Sequence, residues 1–317
     1  MSTRHLVDPD LQSFLDVFPT LELSTEALPG IRELMASMAV LGDPAEHDVT
    51  RREIKVPGLK GAPDVRCLVY ESNKSSGARP GFLHIHGGGY IGGNVEGSDQ
   101  RNTRIAAQLG VTVVSVEYRL APEHPYPAPL DDCADALAWL FDNAGELNVD
   151  AARIAVGGDS AGGGLAAALV QRTHAEGKYT IAFQHLVYPM LDDRTTAPGA
   201  TPDPLTGEFV WTADANVFGW ASYLGDADPA APAVPARAQS VEGLPPTWIG
   251  VGSLDLFLDE DIAYARRLTA AGVATELQVY PAAYHGFVFV QDAPVSQRFE
   301  RDYLESLGRG LGVYEPA

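Results

Sequence analysis

The pattern G-x-S-x-G occupies residues 158–162 and constrains the fold more than any other feature of this sequence. The apolar run 154–156 before it predicts a strand, and the Leu/Ala-rich run 165–169 after it predicts a helix. A very sharp turn between the two lifts a side chain above the sheet, and the flanking glycines let strand and helix approach closely. The pattern therefore predicts a nucleophile, Ser160, at a strand-to-helix junction.

Strand-like and helical patterns alternate from about residue 50 to the end of the chain. The runs 51–56 and 65–71 alternate like two antiparallel strands, and later apolar runs are of the kind buried on both faces of a parallel sheet. Those later strand-like runs are 82–86, 111–116, 154–156, 182–188, 247–251 and 275–280, with helical patterns at 130–141, 161–174, 259–271 and 296–307. This order predicts an α/β fold, with a mostly parallel sheet and helices on both faces.

Two segments do not fit this alternation. Residues 1–45 show apolar side chains at helical spacing and contain no convincing strand. Residues 191–243 hold many Pro, Ala, Asp and Thr residues and a group of aromatic side chains that cannot all share one helical face. Long excursions from compact domains are usually functional, so this second segment is interpreted either as a surface excursion with its own small core or as part of a lid.

The charge of the chain limits its partners. The chain has 42 acidic and 22 basic side chains, a formal net charge of -20, which repels phosphate backbones. No nucleic-acid partner is therefore expected. The first ten residues show no secretory signal, and no apolar stretch approaches membrane-spanning length, so a cytoplasmic protein without a membrane partner is expected. Cys67 and Cys133 are interpreted as small buried apolar residues, not as a disulfide framework.

A second glycine-rich run follows the strand predicted at 82–86. It reads His-Gly-Gly-Gly-Tyr at 86–90. Acyl transfer needs N–H donors aimed at the oxygen that becomes negative, and residues without side chains expose their backbone N–H groups best. Gly88 and Gly89 would supply two donors, and Ala161 a third.

The same region permits two other interpretations. Gly87, Gly89 and Gly92 also form G-x-G-x-x-G, a dinucleotide fingerprint, with Glu117 as the acid for a ribose; that spacing is somewhat long, and Ser160 would stay unexplained. His84 and His86 share one face of a strand, as a metal site would require, but no third ligand is evident. No metal and no cofactor are expected.

A serine nucleophile needs a base and an acid that orients it. His285, on a loop after the last predicted strand, is the one histidine late in the chain at such a position. Asp255 follows the strand at 247–251 and is the predicted acid; Asp259 and Glu260 also fit the first turn of a helix. The order Ser, Asp, His is that of the α/β-hydrolases.

These residues resemble one known family, the hormone-sensitive-lipase-like esterases. The resemblance runs from about residue 50 to the end and depends on three motifs: 86–90, Gly-Asp-Ser-Ala-Gly-Gly at 158–163, and Tyr-Arg-Leu-Ala-Pro-Glu-His-Pro-Tyr-Pro-Ala at 118–128. It matches Ser160, Asp255 and His285 to the family's triad, and Gly88, Gly89 and Ala161 to its oxyanion hole. One departure is Leu256, since the family usually has Pro after the triad acid.

The resemblance also implies an architecture and a substrate class. It implies an eight-stranded, mostly parallel sheet in an α/β-hydrolase catalytic domain at 46–317, under a helical cap built from residues 1–45 and an insertion at about 191–243. It implies a carboxylesterase for short- to medium-chain acyl esters, without a cofactor and often a homodimer. Candidates for lining the substrate site are Tyr90, Tyr188, Trp211 and Phe287, for which core packing is an equal explanation.

Two other functions use the same residues. An amidase or drug-deacylating hydrolase would need the same triad and differ only in the leaving group. A non-catalytic ligand-binding relative would keep the fold, but such relatives have lost the histidine that His285 supplies here.

Overall fold

The sheet contains the strands that the sequence predicts. The computed structural model describes residues 2–18, 22–74, 77–201 and 203–314. The strands are β1 Val49–Val56, β2 Val65–Ser72, β3 Arg79–Ile85, β4 Thr112–Glu117, β5 Val149–Asp159, β6 Phe183–Val187, β7 Thr247–Gly252 and β8 Thr275–Tyr280. They form one eight-stranded sheet in the order β1-β2-β4-β3-β5-β6-β7-β8. β2 is antiparallel to both of its neighbours, whereas β4, β3 and β5 to β8 are parallel.

Parallel pairing places the candidate site residues at one edge of the sheet. Strands β3, β5, β7 and β8 all end at the same edge, because parallel strands share a direction. Ser160 follows β5, Asp255 lies three residues after β7, and His285 lies five residues after β8. The glycine run after β3 leaves the sheet at this edge too, which is where ligands bind in open α/β sheets.

The helices cover both faces of the sheet. They are α1 Gln12–Val17, α2 Leu28–Ser37, α3 Asp99–Leu109, α4 Ala128–Asp142, α5 Ala161–Glu176, α6 Ala213–Leu224, α7 Leu258–Ala270 and α8 Pro294–Gly310. Successive residues of β3 separate the two cores: Leu83 packs with the layer of α4, α5 and α7, and Phe82 with that of α3 and α8. Cys67 and Cys133 are buried, free thiols, as predicted.

The two segments outside the alternation contain short helices. α1 and α2 confirm the helical pattern at the N-terminus; Pro19, predicted to interrupt it, lies outside the described residues. In the segment 191–243, α6 is a regular helix that the sequence pattern does not predict. Its residues Trp220 and Tyr223 are buried, and Phe218 is half-buried. Trp220 and Tyr223 both contact the ring of Tyr90, in the loop after β3.

The two segments are joined to each other and to the sheet. Glu208 accepts hydrogen bonds from the Ser2 and Thr3 hydroxyls and from the Thr3 backbone N–H. The N–H of Asp8 donates to the carbonyl of Ala282, close to His285 in the chain.

Within the described ranges, none of the helices combines the length and apolar character needed to span a bilayer.

Candidate active site

Ser160 occupies the sharp turn that the sequence predicts. It has φ 57° and ψ -120°, values that a residue with a side chain rarely adopts. Hydrogen bonds hold this conformation: the Ser160 N–H donates to the carbonyl of Val187, and its own carbonyl accepts from the N–H groups of Gly164 and Met190. A Cβ atom at Gly158 or Gly162 would overlap the carbonyl oxygen of Ile85, so both flanking glycines are required by close packing.

The predicted base and acid lie in a line with this serine. His285 Nε2 is 3.0 Å from Ser160 Oγ, and His285 Nδ1 is 2.8 Å from Asp255 Oδ2. The carboxylate of Asp255 is fully buried, and its other oxygen accepts the backbone N–H of Phe257 at 3.0 Å. This arrangement lets Nδ1–H donate to Asp255, which leaves Nε2 free to accept a proton from the serine hydroxyl.

The two alternative acids are used elsewhere. Asp259 is exposed in the first turn of α7, as a first-turn acid is expected to be. Glu260 is buried and accepts hydrogen bonds from the N–H of Leu191 at 2.6 Å, from the N–H of Asp192 and from the Thr195 hydroxyl. Glu260 therefore fastens the start of the segment 191–243 to α7. The structure brings Asp255, and neither of its neighbours, to His285.

The predicted oxyanion donors lie beside Ser160. A Cβ atom added to Gly87 would be 3.4 Å from the Cβ of Ser160, which brings the glycine run against the nucleophile. Gly88 and Gly89 have φ of 125° and 62°, and within the described residues their N–H groups donate to no protein acceptor. The N–H of Ala161 begins α5 and has no intrahelical acceptor. Within the described residues, the three N–H groups predicted to bind the oxyanion thus have no protein acceptor.

The glycine run is held by the long motif at 118–128. His86 stacks on Tyr118 at 4.3 Å, and the Tyr118 hydroxyl donates to the His86 carbonyl. Burial lowers the pKa of His86 to about 4, so the ring is neutral near pH 7 and its Nδ1–H donates to the carbonyl of Gly87 at 2.8 Å. These contacts explain the motif as support for the glycine run, a role that spacing alone does not predict. A dinucleotide fingerprint would open directly into an α-helix. This glycine run does not, because α3 begins only at Asp99.

Arg32 holds the loops after β3 and β4 through hydrogen bonds that sequence patterns do not predict. Its Nε donates to the carbonyl of Ile91 at 2.7 Å and its Nη2 to that of Ala121 at 3.0 Å. The guanidinium also pairs with both oxygens of Glu123 and lowers the pKa of that carboxyl to about 2. α2 is thereby attached to the loop that carries Gly88. The position of this arginine outside every motif leaves no sequence signal for its role.

The four aromatic candidates fall into different places. The Tyr188 ring lies 4.5 Å from the His285 ring and that of Trp211 lies 6.4 Å from it. Tyr90 is buried, stacks on Tyr223 at 4.1 Å and donates to the Met190 carbonyl. The structure does not bring Phe287 to the triad, because its buried ring packs against Tyr280 and Phe299 in the core.

Two further features complete the surroundings of the triad. The ring of Phe257, which sequence reasoning missed, meets that of His285 edge-on at 5.2 Å. Two surface cavities, of about 190 and 460 Å³, are lined by residues other than the triad. Within the described residues, no cluster of three or more His, Cys, Asp or Glu side chains has the arrangement of a metal site. The contacts among Ser160, His285 and Asp255 therefore mark the candidate site.

Comparison with known proteins decides the family. A family model described as the alpha/beta hydrolase fold matches residues 82–289. The chain belongs to this family. The matched range contains Ser160, Asp255 and His285 together with the glycine run after β3.

The relatives refine this membership. The carboxylesterase NlhH of Mycobacterium tuberculosis is 35% identical over 98% of this chain and 96% of that protein. The esterase LipI of the same organism is 32% identical over 89% of this chain and 88% of its own length. Among solved structures, a bacterial heroin esterase is 38% identical, with a TM-score of 0.88 over 98% of this chain and 99% of that one. The predicted fold, the hormone-sensitive-lipase-like family and the enzyme class, carboxylesterase, are confirmed.

Proposed function

We propose that this α/β-hydrolase cleaves carboxylic esters through a covalent acyl-enzyme on Ser160. The observation that carries the proposal is the unbroken line of contacts from Asp255 Oδ2 to His285 Nδ1 at 2.8 Å and from His285 Nε2 to Ser160 Oγ at 3.0 Å. Nucleophile, base and orienting acid at these distances are the constellation of acyl transfer.

The proposed reaction proceeds in two steps. Ser160 Oγ bonds to the ester carbonyl carbon while His285 Nε2 takes the hydroxyl proton, and the carbonyl oxygen becomes negative. The N–H groups of Gly88, Gly89 and Ala161 donate to that oxygen. The intermediate then expels the alcohol, which receives the proton from His285, and an acyl group stays on Ser160. Water, deprotonated by the same imidazole, releases the acid and restores the enzyme.

The surroundings support short- to medium-chain acyl esters as substrates. Tyr188 and Trp211 lie beside His285 and are the proposed lining residues. Tyr90 is proposed to hold the oxyanion loop, the segment that carries Gly88 and Gly89, and to lie next to the substrate. Two similar proteins have names that specify a substrate: the bacterial heroin esterase and the ethyl acetate hydrolase of Pseudomonas putida. Both substrates are acetate esters, which supports a small acyl group and a variable alcohol here.

The segments outside the sheet are proposed to act as the cap. Residues 1–45 contact the oxyanion loop through Arg32 and the loop of His285 through Asp8, and Trp211 belongs to the segment 191–243. Access to Ser160 would then depend on both segments. The remainder, 46–317 without this insertion, is the proposed catalytic domain. A homodimer and a cytoplasmic location stay predictions from the sequence.

Replacement of the nucleophile tests the proposed function. Ser160→Ala removes Oγ and leaves the fold of the turn, so hydrolysis of 4-nitrophenyl butyrate should fall to the uncatalysed background. Ser253→Ala is a matched control, because Ser253 also follows a sheet strand, and its hydroxyl accepts the backbone N–H of Ala282. Substantial ester hydrolysis by Ser160→Ala would show that the nucleophile is misassigned. Parallel assays of 4-nitroacetanilide measure whether the same site also cleaves an amide.

A further inference from the structure

A buried ion pair lies next to the nucleophile turn. Asp159 immediately precedes Ser160, its side chain is 12% exposed, and its Oδ2 accepts a hydrogen bond from Arg101 Nη1 at 3.0 Å. Its Oδ1 is buried and, within the described residues, has no hydrogen-bond donor. A buried carboxylate with an incomplete set of donors needs a nearby positive charge. Arg101 on α3 supplies that charge.

The arginine is itself fixed by the opposite helix. Its Nη2 and Nε donate to Glu300 Oε1 at 2.9 and 3.2 Å, and its guanidinium lies 5.3 Å from the Tyr303 ring. The second oxygen of Glu300 pairs with Arg104 Nη2 at 3.0 Å. α8 therefore holds the guanidinium of Arg101 in place against Asp159.

The other titratable groups near Asp159 come from β3, β6 and the loop after β6. His84 Nε2 lies 3.6 Å from Asp159 Oδ2. Burial lowers the pKa of His185 to about 3, so that ring is uncharged near pH 7 and offers no compensation. Arg101 is the guanidinium in contact with the carboxylate.

One side chain beside His285, Tyr188, is also acted on by this pair. The Tyr188 ring is 4.5 Å from that of His285. Burial first, and then the negative charge of Asp159, raises the pKa of Tyr188 well above its usual value, while Arg101 acts in the opposite direction. The triad acid Asp255 acts on the same phenol. An uncompensated charge interacts more strongly with other charges in a buried site than in water, because the effective dielectric constant is lower there.

We propose that Arg101 is a positioning residue for acyl transfer, which acts through Asp159. Its charge offsets a buried carboxylate beside Ser160 that would disfavour the oxyanion and would favour the protonated form of His285. The inference rests on the proposed function, in which Ser160 is the nucleophile and His285 the base. The contact joins α3 to the end of β5 and lies outside the triad and the oxyanion loop.

Opposite charge changes test this role. The measurement is the acid limb of kcat/KM against pH, which reports the protonation of the base in the free enzyme. Arg101→Gln leaves Asp159 uncompensated and should move the limb to higher pH by about half a unit or more. Asp159→Asn removes the negative charge and should move the limb to lower pH. The double variant should restore it to within about 0.2 units of wild type.

A control separates this role from simple bracing of the fold. Arg104→Gln removes a positive charge from the same helix and the same Glu300 but not from Asp159, and it should leave the limb in place. Equal losses of kcat in both single variants with an unmoved limb, or shifts in the same direction, would overturn the inference. If Arg101→Gln is not recovered folded, Asp159→Asn decides, since an unmoved limb contradicts the charge role.

Labelling of each protein with a fluorophosphonate distinguishes a wrong role for Arg101 from a wrong proposed function. Wild type and folded variants that are labelled at Ser160 but lack the opposite shifts overturn only the role of Arg101. A wild-type enzyme without label at Ser160 overturns the proposed function itself.

Discussion

His285 Nε2 lies 3.0 Å from Ser160 Oγ, although 125 positions separate the two residues in the chain. The contact arises because β5 and β8 run parallel and end at the same edge of the sheet. A base in this position accepts the serine proton only while its imidazole is neutral. The esterase rate should therefore fall as the pH is lowered, and the acid limb should disappear with the activity in His285→Gln. A His285→Gln enzyme with wild-type rate at neutral pH would exclude this histidine as the base.

The orienting acid can be separated from its neighbour. Asp255→Asn keeps the shape of the side chain but loses the charge that stabilises the imidazolium, so kcat should fall by roughly 10³- to 10⁴-fold. Asp259→Asn is the matched control, because Asp259 is exposed at the start of α7 and its replacement should change kcat less than about twofold. Steady-state kinetics on 4-nitrophenyl butyrate measure both. The reverse order of the two effects would assign the acid to Asp259.

Gly89 is expected to tolerate no side chain. It has φ 62°, and a Cβ atom there would overlap the ring of Trp211. Gly89→Ala should displace the oxyanion donor and lower kcat by roughly 10²-fold or more. Gly110→Ala is matched for backbone strain, since Gly110 has φ 65° but open space around its Cβ position. Both variants should lose stability, and only Gly89→Ala should lose kcat; a similar kcat loss in both would point to strain alone.

Trp211 is predicted to limit the acyl chain. Its indole Nε1 donates to Asn216 at 3.2 Å, which holds the ring over Gly89 and 6.4 Å from the ring of His285. Trp211→Ala should move the preference from acetate or butyrate esters toward octanoate or decanoate, because it opens the space that the ring fills. A series of 4-nitrophenyl esters measures kcat/KM for each length. Trp139→Ala, on α4, should leave the profile unchanged, and an unchanged profile in Trp211→Ala would remove this tryptophan from the substrate site.

Much of this site could be predicted because each part leaves a local signature. The turn at Ser160, the glycine run and the strand-end positions of Asp255 and His285 follow from chemistry that requires particular residue types at particular places. The first two strands were predictable from their alternating pattern, and the later ones from short strand-like runs between turn signals.

The parts that the sequence did not predict depend on tertiary contacts. α3 is mainly polar along its length, and its apolar residues such as Ile105 form too narrow a stripe to stand out. α6 packs several of its sides against loops, so its aromatic residues follow no single helical face. Phe287 shows the same limit at the site: from the sequence, lining the substrate site and core packing are equal explanations, and the tertiary contacts place its ring in the core with Phe299. The contacts of Arg32 and Arg101 join segments far apart in the chain and carry no local pattern.

Acid should destabilise the fold through His185. Its buried ring stacks on Trp248 at 4.5 Å and contacts the Ser306 hydroxyl, and burial lowers its pKa to about 3. Below the ordinary histidine pKa of about 6.5 the unfolded chain therefore binds a proton that the folded state refuses. Its contribution to stability is full above about pH 6.5 and is lost progressively as the pH falls toward 3.

Urea unfolding at pH 7, 6, 5 and 4 measures this effect. The free energy of unfolding of wild type should fall across the range, and His185→Gln should show a shallower dependence on pH even if it is less stable throughout. A variant with the same slope as wild type would mean that other groups cause the acid sensitivity.

The most direct test of the account is covalent capture of the nucleophile. Diisopropyl fluorophosphate reacts with a serine whose hydroxyl is activated by a neighbouring base, and peptide mass spectrometry locates the phosphoryl group. The account predicts one adduct, on Ser160, formed in proportion to the loss of esterase activity and absent from Ser160→Ala. An inactivated enzyme that carries its adduct on another residue, or a fully modified Ser160 with esterase activity intact, would contradict it.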